Sequence, residues 1–585
     1  MPVQVTYPGV YVEEIPSGGQ TITGVATSIT AFMGTALCGP LGTSVGGPVT
    51  IFSFADYERI FGGLWVNSPM SYAVRDFFTN GGSQAIIVRL YESSLAGPPE
   101  SAGCALISVA APSLPPASPP AAGSGSPPSS PWVLYAASPG TWGNNVRVMF
   151  ATNPANVATE AAQLYANYGV PQDGSDMFNI TIFYDPPGGS MRTERFVNLT
   201  LTDYPGFPPN PNRVDRILNQ QSQLVQVFPD DVLTSEPTWL ASWLSGWNAF
   251  STSSNLANYN QAQLFALLYA AAGGNDGNLP LQNEATYDDP NTGALFALDK
   301  VDLFNLLCVP YDSAVAGAEG PAIDAYPTLA EYCQKRRAMF IVDPPYGRSN
   351  SWAALARNDE WETFDPTVLH IAGDSGRNAA VYFPRVVEAD PLLKGDSRVM
   401  PACGIIAGVM ASTDASRGVW KAPAGTDAGL SGPGLSLDIK LTDDQNGVLN
   451  PLGINCLRSF PVYGPVVWGA RTMRGADLLE DDYKYIPVRR LTLYIEESLY
   501  RGTKWAVFEP NADPLWTSLR NTVNVFLSGL QRQGAFYSYF VNCDNKTTTM
   551  DDILLGVVNI IVGIAPLKPA EFVVIQIQQT AGQSS

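Results

Sequence analysis

The side chains that most often perform acid–base and nucleophilic chemistry are scarce in this sequence. Its one histidine is His370, and a serine with the flanks of an activated nucleophile follows in Gly373-Asp374-Ser375-Gly376. A serine nucleophile needs a histidine base that the fold brings to it from a suitable position. Here Arg377 replaces the next glycine of the pattern and the histidine lies five residues before Ser375. The segment therefore does not predict a Ser-His-Asp triad.

Two further segments have compositions that could hold a phosphate or a cation. Gly273-Gly274-Asn275-Asp276-Gly277 lacks the Lys-Ser/Thr ending that holds phosphate and magnesium, so we interpret it as a turn. Asp443-Asp444-Gln445-Asn446-Gly447 is similar to a calcium loop, but Thr442 occupies the first ligand position and no glutamate closes the segment. We interpret it as a solvated loop.

The seven cysteines contain no CxxC pair, which disfavours a zinc site or a disulfide framework. We predict no metal, no cofactor and no catalytic residue.

Carboxylates and aromatic side chains leave one enzymatic alternative open. Asp343 and Glu360 could be the paired carboxylates of a carbohydrate-active enzyme. Trp468, Trp505 and Trp516 could stack on a ligand, although their helical or strand settings favour core packing.

Composition points away from nucleic acid and membrane partners. Apolar residues make up 45% of the 585 residues, charged residues only 15%, and the net charge is −20. Phosphate binding depends on clustered Lys and Arg, so DNA and RNA are not expected partners. The longest apolar run, Ile553 to Ala565, is about half a membrane span, so we expect no direct membrane insertion. Low charge suits a protein that buries much of its surface against copies of itself.

The charge is unevenly distributed along the chain. From Ile454 onward 12 Lys and Arg balance 12 Asp and Glu, whereas residues 1 to 453 hold 21 against 41. The neutral C-terminal part is either a contact surface for an acidic partner or a more buried domain.

Local patterns predict a mixed α/β or α+β protein of several domains. Ser53 opens a short helix, Ser68 and Pro69 begin a helix that Gly81-Gly82 end, and Asp513 is expected to cap a late helix with a stripe from Leu515 to Leu530. The other predicted strands and helices are strands at 31–36, 84–91, 179–184, 303–309 and 338–342, helices at 326–337 and 488–501, and a β-prone run at 571–579.

We predict a discontinuous organisation, because the α/β pattern stops after residue 98 and resumes after a β-rich insertion. Ala111 to Pro131 is low in complexity, since 20 of its 21 residues are Pro, Ser, Ala or Gly, and it is predicted to be a flexible surface segment. The predicted units are an N-terminal arm (1–20), a middle α/β domain (21–98 and 266–440), a linker (99–131), an inserted β-rich domain (132–265), a C-terminal domain (441–570) and a C-terminal arm (571–585).

The last third contains four distinctive segments in order: RGVWKAPAG (417–425), WGARTMRG (468–475), RRLTLYIEESLYRGTKWAVFEPNADPLW (489–516) and IAPLKPAEF (564–572). Together they resemble the contractile tail sheath family of phages and phage-derived injection systems. Weaker similarity extends upstream to the arm YPGVYVEE (7–14), PGTWGNNVRV (139–148), GGNDG (273–277) and LLCVPYD (306–312).

The resemblance implies a structural protein rather than an enzyme. It implies hexameric rings that stack helically around an inner tube protein, with the C-terminal core innermost and the inserted domain outside. It also implies baseplate and tail-terminator partners, synthesis in the bacterial cytoplasm, and incorporation into a phage tail or tail-like particle. A passive shell or surface-layer polymer is the structural alternative.

The resemblance further implies that terminal arms add strands to neighbouring subunits, and both ends of this chain are β-prone. The arm residues expected to form these strands are Tyr7, Val10, Tyr11, Val12, Phe572, Val574, Ile575 and Ile577.

In this family the C-terminal domain grips the tube, and Arg520, Asn524 and Arg532 are the predicted tube-facing residues because they lie off the apolar stripe of their helix. The alternative is that the arginines pair with neighbouring acids of the same subunit.

Overall fold

A computed structural model describes residues 21–42, 47–91, 104–109, 132–151, 177–186, 191–200, 203, 208–228, 269–277, 294–310, 325–344, 346, 351–574 and 576. The predicted flexible segment 111–131 and most of both predicted arms lie outside these residues.

An eight-stranded sheet forms the centre of the described structure. Its six central strands run parallel to one another, and one antiparallel strand pairs at each edge. In sheet order the strands are β18 (Gly464–Val467), β17 (Asn455–Phe460), β13 (Ala379–Phe383), β12 (Met339–Val342), β11 (Leu306–Cys308), β1 (Thr30–Gly34), β3 (Ala85–Arg89) and β2 (Val49–Ile51). The central strands are continuous apolar runs because a parallel sheet is buried on both faces.

Helices cover both faces of this sheet. In the described part of the chain, the helices up to residue 449 are α1 (Phe54–Phe61), α2 (Pro69–Thr79), α3 (Val214–Gln221), α4 (Ala294–Asp299), α5 (Ala325–Lys335), α6 (Trp352–Arg357), α7 (Cys403–Arg417) and α8 (Asp443–Leu449). On one face of the sheet Met33, Phe340 and Val381 pack against α4 and α5, and on the other Phe32 and Ile341 pack against α1, α2 and α7.

Local capping signals correctly predicted the starts of α1 and α2, but the signal at Thr442 was misinterpreted. The Ser68 side chain accepts a hydrogen bond from the Ser71 backbone N–H at the start of α2, and Ser53 does the same for Asp56 in α1, as predicted. The predicted loop at Asp443–Gly447 is wrong. These residues lie in α8, because Thr442 and Gln445 form a capping box that satisfies the first backbone N–H groups.

A β-rich unit between β3 and β11 contains two smaller sheets. A four-stranded sheet has the order β10 (Tyr269–Ala270), β6 (Val146–Ala151), β7 (Phe178–Tyr184) and β8 (Arg192–Leu199), and a three-stranded sheet has the order β4 (Leu106–Val109), β5 (Trp132–Ala136) and β9 (Val225–Gln226). The buried Arg89 at the end of β3 joins this unit to the large sheet, since its guanidinium donates to the carbonyls of Ala36 (3.1 Å), Gly39 (2.7 Å) and Pro139 (2.7 Å).

A small antiparallel sheet covers the outside of α2. Its order is β15 (Asp396–Met400), β14 (Val386–Asp390) and β16 (Ser436–Leu437). Buried polar groups join it to the helix: the Tyr72 hydroxyl donates to Asp390 (2.8 Å), and Arg75 pairs with both Asp76 and Glu388.

The C-terminal part consists of helices against a two-stranded sheet. The helices are α9 (Ile486–Gly502), α10 (Asp513–Arg532) and α11 (Met550–Leu554), and the sheet pairs β19 (Phe536–Asn542) with β20 (Ile561–Pro566). Asp513 does not cap α10 as predicted. Ala512 occupies the cap position without a side-chain hydrogen bond, and Asp513 is the first helical residue.

The mixed α/β class is confirmed by this arrangement, whereas the predicted domain limits stay predictions. Strands β17 and β18 lie beyond the predicted limit at residue 441 yet pair with the large sheet. No helix within the described ranges is both long and apolar enough to cross a membrane.

Candidate assembly interface

The two-stranded sheet has one buried face and one exposed face. Phe536, Val541, Val562 and Ile564 pack against α9 and α10 in a small apolar core. On the other face, the side chains of Tyr537 and Phe540 are 74% and 52% exposed, and Ile561 is also exposed. Two strands alone are marginally stable in water, so this sheet depends on its helices on one side and is incomplete on the other.

The sheet also has open edges. Within the part of the chain that the structure describes, β19 and β20 pair only with each other. The outer edge of each strand therefore presents backbone N–H and C=O groups to a further strand. Gly563 of β20 pairs with Phe540, whose ring lies 2.2 Å from the position that a Cβ of residue 563 would take. Glycine at 563 thus lets the Phe540 ring lie flat over the sheet.

The N-terminal root, which we define as residues 22–27, runs along α9 towards its C-terminal end. Arg490 donates to the Thr27 carbonyl (2.9 Å), and the Val25 backbone N–H donates to the Ser498 hydroxyl (3.2 Å). Ile22 packs against Gly502, where the nearest Ile22 carbon is 2.6 Å from a built Cβ. The predicted strand residues Tyr7, Val10, Tyr11 and Val12 precede this root and lie outside the described residues.

The C-terminal root, which we define as the chain around Glu571, is held by an ion pair between the buried Arg471 and the partly buried Glu571. Two parallel hydrogen bonds join the Arg471 guanidinium to the Glu571 carboxylate (2.8 and 2.6 Å), and the Tyr485 hydroxyl donates to the same carboxylate (3.3 Å). Arg471 is fully buried and also pairs with Asp477 (3.0 Å). Hydrogen bonding from Lys484 and the charge of Arg471 lower the pKa of Asp477, which favours its ionised form beside the guanidinium. Bidentate geometry fixes direction as well as energy, so the direction of the chain at residue 571 is well defined.

Beyond Glu571 the described chain lies on the surface. Phe572 and Val574 are 74% and 79% exposed, and Val573 is exposed as well. The β-prone run predicted at 571–579 forms no strand over residues 571–574 in the single subunit, because no strand partner lies beside it. Ile575 and Ile577 lie outside the described residues.

Neither arginine at the predicted tube-facing position forms an ion pair with the described residues. Arg520 is half-buried and donates to the Cys543 carbonyl (3.1 Å), while the exposed Arg532 donates to Ser528 of its own helix (3.3 Å). Asn524 donates to the Arg520 carbonyl (2.9 Å). The alternative prediction, in which both arginines pair with neighbouring acids, is therefore not seen in this part of the chain.

Two of the residues considered for catalysis, Ser375 and Asp343, make structural hydrogen bonds. The Ser375 hydroxyl donates to the Ala372 carbonyl (2.9 Å) within a short 3-10 helix. Asp343 is buried, accepts hydrogen bonds from the backbone N–H groups of Ala402 (2.8 Å) and Cys403 (3.2 Å), and thereby caps the start of α7. Glu360 lies on the surface. The predicted turn at Gly273–Gly277 contacts the segment 139–148, which also carries the family resemblance. Asp276 accepts a hydrogen bond from the Thr141 backbone N–H (2.7 Å).

The Arg471–Glu571 pair was not predicted from the sequence. The two residues are 100 positions apart, so no local pattern connects them. The available signal was that both lie within segments that carry the family resemblance, WGARTMRG and IAPLKPAEF.

Comparisons with known proteins agree with this architecture. Residues 480–580 match the phage tail sheath C-terminal domain family. The tail sheath protein of Vibrio phage KVP40 is 23% identical over 390 residues, which covers 64% of this chain and 53% of that protein. The tail sheath protein of Enterobacteria phage T4 is 29% identical over 153 residues, covering 26% of this chain and 23% of that protein. The matched region thus spans about half the length of these relatives or less.

Solved structures with the same fold cover nearly the whole chain. The anti-feeding prophage helical sheath in its contracted state has a TM-score of 0.51 at 21% identity and covers 98% of this chain and 100% of that one. The sheath complex of PVC, an extracellular contractile injection system, in its contracted state has a TM-score of 0.50 at 19% identity and covers 99% of both chains. The family match over residues 480–580 and the similar curated sheath proteins support a relationship to the contractile tail sheath family, and the solved structures show a similar fold.

Proposed function

We propose that this chain is a sheath subunit that forms stacked hexameric rings around an inner tube and contracts to drive that tube through a target envelope. The observation that carries the proposal is the incomplete two-stranded sheet, with an exposed apolar face and open edges, in a unit that also holds both arm roots. Arms from neighbouring subunits would complete this sheet by strand addition.

The energy of strand addition fits a permanent link between subunits. An arm strand of about six residues makes several backbone hydrogen bonds worth roughly 0.5–1.5 kcal/mol each, from which the ordering of the arm must be subtracted. Apolar contacts with Tyr537 and Phe540 add to each link. Because every subunit would donate two arms and receive two, the rings would stay connected while they slide.

Contraction would release energy stored at assembly. The sequence contains no P-loop that could supply energy from a nucleotide. Two packings of the same subunit that differ by a few kcal/mol suffice, since the difference adds over every subunit of a long polymer. The arms would carry the movement from ring to ring. A baseplate and a terminal cap protein would set the two ends of the polymer.

The exposed face of α10 is the surface that we propose for the tube. Arg532 and Asn524 lie on or beside this face, and Asp513 in the first turn is the one acidic residue of the helix. Such a face within a chain of net charge −20 suits an acidic tube. Each exposed ion pair contributes about 0–1 kcal/mol, so the grip would come from repetition and could be released when the sheath expands.

Removal of the N-terminal arm tests strand exchange. Deletion of residues 1–16 is expected to leave a folded, monomeric subunit that forms no contractile sheath, because each neighbour loses a strand. The control replaces the same 16 residues by an uncharged Gly/Ser segment of equal length, and it should fail in the same way. Negative-stain microscopy distinguishes a sheath, which gives striated tubes of two lengths, from a passive shell. Sheaths of normal appearance from the deletion variant would contradict the proposal.

A charge reversal tests the tube-facing surface. The Arg520→Glu, Arg532→Glu variant is expected to fold and to give mostly empty or prematurely contracted sheaths. The matched control is Lys394→Glu, Lys440→Glu, which makes the same change in charge at exposed positions in other parts of the subunit. Full-length particles that retain their tubes at ordinary and raised salt would rule out this surface.

A further inference from the structure

A cleft of about 520 Å³ lies where α9 meets the end of α5 and the loop after α4. Arginines on its walls already have acidic partners in the same subunit. These pairs are Arg336 with Asp299 (3.5 Å), Arg337 with Glu497 (2.9 Å), and Arg501 with both Asp302 (2.6 Å) and Glu497 (2.6 Å). Each of the three acids of the cleft, Asp299, Asp302 and Glu497, therefore forms an ion pair with at least one of its three arginines.

Three lysines in the same cleft form no direct ion pair with the described residues. Lys300, Lys335 and Lys504 are all exposed, and the ammonium groups of Lys300 and Lys504 lie over aromatic rings, at 5.1 Å from Phe296 and 4.9 Å from Tyr500. The cleft thus has an excess of three positive charges within a strongly acidic chain. An excess of this kind favours an occupant with adjacent carboxylates.

The N-terminal segment of this chain has that chemistry, and it continues from the described structure beside the cleft. Glu13 and Glu14 are the only charged side chains in the first 55 residues. The N-terminal root ends against Gly502, which lies between two residues of the cleft, Arg501 and Lys504. About eight residues separate Glu14 from this point, and an extended chain of that length reaches up to roughly 26–29 Å.

We propose that in the free subunit the lysine cleft binds the carboxylates of Glu13 and Glu14 of its own N-terminal segment. While bound there, the segment is withheld from the sheets of neighbouring subunits. Each ion pair is weak, but the short connection gives the segment a high effective concentration at the cleft. The contact therefore slows spontaneous polymerisation without blocking assembly on a tube. This inference goes beyond the proposed function, since strand exchange does not require it.

Zero-length carbodiimide cross-linking of the full chain tests the contact, because it joins a carboxylate only to an amine that it touches. Free subunit at low salt is expected to give peptides that link Glu13 or Glu14 to Lys300, Lys335 or Lys504. A mixture of isotopically light and heavy subunits then identifies the donor, and each cross-link should carry a single isotope. At about 1 M salt the Debye length falls to about 3 Å, so the yield should fall severalfold. Mixed-isotope links alone, or none at these lysines, would overturn the proposal.

A kinetic measurement gives an independent answer. The variant Lys300→Glu, Lys335→Glu, Lys504→Glu should polymerise spontaneously about three- to tenfold faster by light scattering, since about one exposed ion pair or more is lost. Lys394→Glu, Lys440→Glu, Lys546→Glu makes the same charge change at other exposed positions and should match the unmodified chain. Adding Glu13→Lys and Glu14→Lys to the cleft variant should restore the slow rate. Equal rates for the cleft and control variants, or slower assembly of the cleft variant alone, would contradict the proposal. Failure of strand exchange would instead appear as loss of sheaths from the deletion of residues 1–16.

Discussion

The large sheet and the two-stranded sheet of this subunit bury their apolar side chains to very different degrees. Every residue of β1, β3, β12 and β13 is buried, and helices close both faces of the large sheet. In β19, buried and exposed side chains are mixed, and large apolar groups on one face remain in water. The large sheet is thus complete within one subunit. The two-stranded sheet has the features of a surface that is finished by another chain.

This difference also separates stability from assembly. Residues of the complete core should determine whether the subunit folds. Under the proposed function, residues of the incomplete sheet should determine whether the subunit polymerises, because their apolar surface would be buried only between subunits.

A pair of phenylalanine substitutions tests that separation and has the largest expected effect. Phe340→Ala in β12 removes a buried ring that lies against Tyr326, at a centroid distance of 5.7 Å, and should cost about 3–5 kcal/mol of unfolding free energy. Phe540→Ala removes a ring that is half exposed and should cost less than about 1 kcal/mol. Chemical denaturation followed by fluorescence measures both values. Microscopy should then show sheath formation impaired by Phe540→Ala, and similar stability losses for the two variants would break the comparison.

The sequence predicted local elements better than contacts between distant segments, for physical reasons that particular residues make clear. The start of α2 depends on Ser68 and Pro69, and the stripe of α10 depends on helical spacing, so both could be predicted from neighbouring residues alone. The Arg471–Glu571 pair joins two segments that only the folded chain brings together. If other subunits complete the sheet of β19 and β20, as proposed, that state cannot be derived from one chain.

Two buried carboxyl groups, Asp76 of α2 and Glu388 of β14, should make the stability of the subunit depend on pH. Burial, followed by the neighbouring Asp76 carboxylate, raises the pKa of Glu388 from 4.5 to about 8, and burial also raises the pKa of Asp76. A carboxyl whose pKa is raised on folding stabilises the protein while it is protonated, and this contribution is lost as pH rises through the folded pKa.

We therefore expect the unfolding free energy to fall between about pH 5 and pH 8, with about 1.4 kcal/mol for each pKa unit of difference between the folded and unfolded states. Glu388→Gln keeps the size of the side chain and removes its titration, so the slope should become smaller. Denaturation of both proteins at several pH values measures the difference. Stability that rises over this range in the unmodified chain alone would contradict the assignment.

The smallest effect is expected at the C-terminal root, where one ion pair connects the arm to the body of the subunit. Glu571→Ala leaves the buried Arg471 with Asp477 and the carbonyls of Asn450 (2.9 Å) and Gly475 (3.2 Å), so the guanidinium keeps part of its hydrogen bonding. The loss should be about 1–3 kcal/mol and local, because a buried charged group loses its bidentate partner. Hydrogen exchange of residues 561–574 should become faster while β12 and β13 stay protected.

Asp477→Ala is the matched control, since it removes the more exposed of the two acids that pair with Arg471. If both variants loosen the chain equally, Glu571 does not determine where the arm leaves the subunit. If only Glu571→Ala loosens it, and sheaths of that variant also assemble poorly, the fixed direction of the arm is itself needed to reach a neighbour.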